Sequence, residues 1–154
     1  MYVWALTKDL VNLKKASAME KINYPADYQQ VMPYLIIKNA AAFMKFMEDV
    51  FGAKEKVKHM RGEDVIMHAE ITLGESVIML ADSTDEFSAR PGGFFIYVAD
   101  ADAVYNKAIA AGATSVMPVS DMPYGRSGGI ADPFGNTWWP TTHVDATDAT
   151  VGIP

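Results

Sequence analysis

Asp132-Pro133-Phe134-Gly135-Asn136-Thr137-Trp138 reads as a tight turn running into a strand, with the proline, glycine and asparagine that such turns demand. Its Gly135 follows the stop of an apolar helical stretch, Ala111-Gly112-Ala113. In the first half of the chain, Gly74 of Leu73-Gly74-Glu75-Ser76 follows Phe51-Gly52-Ala53 at the same distance to within one residue. The chain is therefore written twice, each half reading strand, helix, strand, strand, strand. One such unit cannot bury its own sheet face, so the two must close a core together. The expected fold is α+β, with two tandem βαβββ units forming a curved mixed sheet around a concave space.

The first unit, expected over residues 31–82, opens with the strand Met32-Pro33-Tyr34-Leu35-Ile36-Ile37, its proline marking an edge or a strand beginning. Phe43, Phe46, Met47 and Val50 follow at the spacing of a helix core stripe, stopped by Gly52. A polar strand spans 54–60. Residues 65–73 alternate, which predicts Val65, Met67, Ala69, Ile71 and Leu73 on one face and Ile66, His68, Glu70 and Thr72 on the other. Val77-Ile78-Met79-Leu80 is the last strand. A polar, breaker-rich linker leads to the second unit, over 92–143. It holds the strand Phe94 to Val98, a helix from about 101 to 111 capped by Asp100, and strands near 114–119, 127–132 and 137–142. Between strands of this second unit, Tyr124-Gly125-Arg126-Ser127-Gly128-Gly129 reads as a mobile loop. Residues 1–30 form an extension carrying a short amphipathic helix over 8–20, and 144–154 a mobile tail.

With 154 residues, 50% hydrophobic, the chain is one ordinary domain. A net charge of −6, with no lysine or arginine cluster longer than Lys14-Lys15, gives no footprint for nucleic acid. The absence of cysteine removes disulfides, thiol nucleophiles and thiolate metal sites, and fits a reducing compartment. The first residues carry charges too early for a signal peptide, and no apolar run is long enough to span a bilayer. The expectation is a cytoplasmic protein with neither a nucleic-acid nor a membrane partner.

The doubled unit, the helix endings at Gly52 and Gly112, and the run Asp132 to Trp138 resemble the glyoxalase/bleomycin-resistance/dioxygenase superfamily, also called the vicinal oxygen chelate superfamily. Met32-Pro33-Tyr34-Leu35, Met67-His68-Ala69-Glu70 and Asp132 to Trp138 are similar to its PhnB-like branch. The resemblance covers residues 32–143. It implies a homodimer whose units share a cup, and in the metalloenzymes of the family a divalent cation held by four side chains. Those four positions fall on Met32, His68, Phe94 and Trp139, of which only His68 is an ordinary ligand. No metal or other cofactor is therefore expected, since one imidazole cannot hold a cation that needs three protein ligands.

His68 and Glu70, two apart on the polar side of one strand, are the candidate acid–base pair. Met32, Tyr34, Phe94 and Trp139 are expected to line the cup, with Tyr124 and Arg126 offered from the glycine-rich loop. His59 is expected in solvent, and His143 near the rim or in the tail. The resemblance implies binding of a small cationic or aromatic molecule, the drug-sequestering mode that gives the bleomycin-resistance relatives their antibiotic resistance. The alternative is a glyoxalase-like lyase or isomerase with His68 as base or metal ligand.

Overall fold

A computed structural model of the chain describes residues 22–144. The helix expected over 8–20 and all but the first residue of the expected tail lie outside that range. The chain divides into Met1–Gln30 and Val31–Pro154. In the first, the Tyr28 N–H donates to the Pro25 carbonyl at 3.1 Å, closing a turn.

Among its described residues the second holds ten elements: β1 (Tyr34–Ile37), α1 (Ala40–Phe51), β2 (Lys54–Arg61), β3 (Val65–Leu73), β4 (Ser76–Asp82), then β5 (Gly93–Tyr97), α2 (Ala101–Ala110), β6 (Thr114–Met122), β7 (Gly125–Ala131) and β8 (Thr137–Thr142). They form two four-stranded sheets ordered β1-β4-β3-β2 and β5-β8-β7-β6. In each sheet the first pair is parallel and the others antiparallel. The duplicated sequence pattern is thus a duplicated topology.

Local chemistry sets the ends of the helices. The Asn39 side chain accepts from the Ala42 N–H at the start of α1, and Gly52 closes it. Asp100 accepts from the Ala103 N–H and starts α2. The expected stripe of Phe43, Phe46, Met47 and Val50 is buried. It does not stop at its own unit: Phe43 and Phe46 meet Phe134 edge-on, and Phe51 lies against Trp138. One apolar cluster therefore draws on both units, including Ile130 and Trp138 of the second. Each sheet turns one face to this core and leaves the other outward.

Two local expectations are overturned. Strict alternation along β3 fails at Met67, where the register against β2 slips so that Met60 faces Ile66 while His59 faces His68. This bulge leaves Met67 without a partner and rotates Ile66 to the core side with Ala69 and Ile71. Asp82 holds the bulge in place. Its carboxylate accepts the Ile66 N–H and the Ala40 N–H, each at 2.7 Å, tying β3 to the start of α1.

The segment expected as a loop from Tyr124 to Gly129 is β7 from Gly125 onward, an interior strand. Its glycines serve contact and not motion. A Cβ at Gly129 would come within 2.5 Å of the Trp139 ring, and one at Gly128 within 2.8 Å of Val119. Each absent side chain makes room for a large neighbour.

Candidate functional site

On the outward face of the first sheet, Tyr34 of β1 and Glu70 of β3 both stand opposite Met79 of β4, so the three form one row. His68 shares the face of Glu70. Its Nε2 lies 3.1 Å from Glu70 Oε1, and its Nδ1 lies 3.1 Å from the Tyr34 hydroxyl. Burial falls along this chain: Glu70 is 5% exposed and Tyr34 50%. His59 of β2 is exposed, as expected, and stacks on the imidazole with ring centroids 6.4 Å apart on this same face. Beside Tyr34 opens a cleft of about 410 Å³, walled by Ile36, Met67, Ala81 and Phe87, with Arg61 at its rim. A larger groove of about 520 Å³ runs along α1 on the core side of β2 and β3. Two of its three lysines are tied to Asp49 and Glu55, and none of the chain from Glu70 to Tyr34 reaches it.

The outward face of the second sheet is aromatic. Phe95 stands opposite Trp139, and Tyr97 follows two residues on. Phe95 and Tyr97 are 51% and 63% exposed, which is unusual for neighbouring large rings on a sheet. Tyr124, in the turn before β7, comes within 6.0 Å of Phe95, and His143 lies edge-on to Tyr97 at 5.9 Å.

The expected site residues divide accordingly. His68, Glu70 and Tyr34 come together on one face, and Trp139 and Tyr124 on the other. Met32 precedes β1 and is half-buried. Phe94 departs from the expectation. It stacks on Trp138 at 4.5 Å in the core, because neighbouring strand residues point to opposite faces and Trp138, not Trp139, stands opposite it. Phe95 takes the place expected for Phe94, and the register could have shown this once β5 was paired with β8.

Arg126 also departs. It faces α2, where both guanidinium nitrogens that bond Asp102 clamp that carboxylate and a third bonds Asp121 at 3.0 Å. The arginine is a tie between α2 and the β6–β7 hairpin, not a hand extended to a ligand. The Arg126 hydrogen bond holds the Asp102 carboxyl below its usual range. A depressed carboxylate contributes stability above its unfolded value and loses it as the pH falls through the folded one. Protection of the first turn of α2 against hydrogen exchange should therefore drop as the pH falls below the ordinary carboxylate value of about 4. In Asp102→Asn that drop should vanish, and a drop of equal size would refute the tie.

The four family metal positions do not converge on a cation. Met32 offers a thioether, Phe94 is in the core, Trp139 has no lone pair to give, and both ring nitrogens of His68 are engaged. Among the described residues no three His, Cys, Asp or Glu side chains come together. The residues present do not fit the group.

The turn from Asp132 to Trp138 is held from within. Asp132 Oδ1 accepts the N–H groups of Phe134 and Asn136, and Oδ2 accepts Asn136 Nδ2 and Trp138 Nε1, each at 2.9 Å. Asn136 Oδ1 in turn accepts the Gly92 N–H at 3.0 Å, fixing the linker. Residues 22–139 match the Glyoxalase/Bleomycin resistance protein/Dioxygenase superfamily. The chain belongs to this superfamily.

An uncharacterized protein of Mycobacterium tuberculosis is 29% identical over 118 residues, covering 69% of this chain and 69% of the relative. A PhnB protein from Bacillus cereus has the same fold, with a TM-score of 0.63 at 22% identity over 74% of this chain and 99% of that one. TnmS3, an antibiotic binding protein from a Streptomyces species, has a TM-score of 0.63 at 14% identity, over 82% of this chain and 100% of its own. Among the described residues no helix is long and apolar enough to cross a membrane.

Proposed function

We propose that this chain is a metal-independent binding protein for a small aromatic molecule, assembled as a homodimer in which the outward face of one unit meets the outward face of the other unit in a second copy. One observation carries the reading. The exposed rings of Phe95, Tyr97 and Tyr124, with the half-buried Trp139, form an aromatic wall open to solvent among the described residues, while the opposite face supplies a cleft and a few polar groups. An aromatic wall and a sparse polar set facing each other make a small-molecule site. TnmS3, of the same fold, is an antibiotic binding protein, which supports a drug-like ligand. The net charge of −6 favours a cationic one.

Binding is placed ahead of lyase or isomerase chemistry because both His68 nitrogens are already engaged within the chain, one with Glu70 and the other with the Tyr34 hydroxyl. A base needs a free lone pair within reach of the proton it removes. The absence of cysteine is in keeping with work in the cytoplasm.

Light scattering at micromolar concentration should give about twice the 16.9 kDa chain mass. Cationic aromatic compounds should quench tryptophan fluorescence saturably, and Trp139→Phe should remove most of the response. A monomer together with no saturable quenching across a diverse set of compounds would defeat the reading.

A further inference from the structure

The three side chains on the first sheet differ in what each is able to do. Glu70, as a buried carboxylate, only accepts hydrogen bonds, so the His68 nitrogen facing it carries the proton. The neutral imidazole then carries its lone pair on Nδ1. That atom lies 3.1 Å from the Tyr34 hydroxyl and must accept its proton. The Tyr34 O–H is thereby turned inward, and what remains on its oxygen for the cup is a pair of acceptor sites. This is the logic of a buried acid fixing an imidazole tautomer so that a hydroxyl is polarised, with a phenol at the exposed end. Tyr34 is half-exposed and borders the cleft of about 410 Å³, whose other walls are mostly apolar, with Arg61, Asp82 and Thr84 as its polar members.

We infer that Tyr34 is the specificity-determining residue of this face, held by Glu70 and His68 as a hydrogen-bond acceptor, so that the cleft selects aromatic ligands bearing an N–H or O–H donor over those of the same shape without one. The inference rests on the binding reading above and names the ligand class of that site. The same chemistry makes the preference depend on the imidazole. Protonated His68 donates from Nδ1 to the Tyr34 oxygen, the phenolic O–H swings outward, and an acceptor becomes a donor. The groups around the imidazole are Glu70 on its own strand, Tyr34 from β1 and His59 from β2, while β4 places the uncharged Met79 between them. Arg61 and Asp82 border the cleft, but both Asp82 oxygens are held by backbone N–H groups.

Two measurements test this on the full chain. In protein labelled with ¹⁵N-histidine, long-range ¹⁵N–¹H correlations assign the tautomer, with His68→Gln identifying the signal. Neutral His68 should be the Nε2–H form, and an Nδ1–H form would overturn the inference whatever the chain binds. The second uses indole and 1-methylindole, two neutral rings of one shape that differ in a single donor, followed by the shift of the ¹³C-labelled Met67 methyl group. At a pH where the ¹⁵N signal shows neutral His68, indole should bind about five- to tenfold tighter, the scale of one hydrogen bond. Tyr34→Phe should bring the two affinities together while keeping the Met67 response. The preference should shrink once the ¹⁵N signal shows the imidazolium. Equal affinities in the wild type, or a preference that survives Tyr34→Phe, would overturn this inference and leave the binding reading standing. No saturable response to either ring in the wild type would overturn both.

Discussion

Asp132→Ala should lower the free energy of unfolding by about 3–5 kcal/mol, the scale of leaving several buried partners of a carboxylate unpaired. The carboxylate is 5% exposed and accepts four N–H groups, two from the backbone of its own turn, one from Asn136 and one from the Trp138 indole. Removing it strands all four, three of them in buried positions. The damage should spread, because Asn136 also holds the linker at Gly92 and Trp138 is wedged between Phe51 and Phe94. Asp132→Asn should be nearly as harmful, since its amide nitrogen would be pushed against donors. Urea unfolding followed by far-ultraviolet circular dichroism measures both. A loss below about 1 kcal/mol for Asp132→Ala would mean the turn is held mainly by its glycine and proline.

Gly125→Ala should lower the free energy of unfolding by about 2–4 kcal/mol, from two effects of one methyl group. The backbone there has φ of 136°, a region closed to side chains, and a Cβ would sit 2.3 Å from the Thr142 carbonyl oxygen. That oxygen belongs to the paired strand β8 and cannot step aside without breaking the sheet. The control is Gly93→Ala at the start of β5, where a Cβ meets nothing within 4 Å. It should stay within about 0.5 kcal/mol of wild type. Similar losses at the two positions would show that strand propensity, and not close approach, governs glycine in this sheet.

How far the sequence could be read depended on whether a feature was local. The helix stripe from Phe43 to Val50, the caps at Asp100 and Gly52, and the doubled order of elements follow from spacing and turn chemistry, and the structure has them all. The bulge at Met67 does not, because it is set by Asp82 reaching across from another strand. Nor does strand β7. Glycines read as freedom when the chain is viewed alone, and become room for Trp139 and Tyr105 only when neighbours are in place. The same limit governs the site. His68 and Glu70 share a face by simple alternation, so their pairing was legible. The choice between Phe94 and Phe95 turned on which tryptophan stood opposite, and that is a matter of register between distant strands. Arg126 was misread because its partner Asp102 lies on a separate element.

The shared core also bears on the ancestry of the molecule. A fold that repeats one topology twice points back to a half-length polypeptide that covered itself by meeting its own twin. The present halves can no longer do so. Helix α1 brings Phe43, Phe46 and Phe51 to the middle, whereas α2 brings Ala101 and Ala108. Two copies of the first half would set phenylalanine against phenylalanine at the centre, and two copies of the second would set alanine where those rings now pack. Bulk has moved to one side of the duplication and smallness to the other. The two halves have become lock and key, and neither could now be inherited without the other.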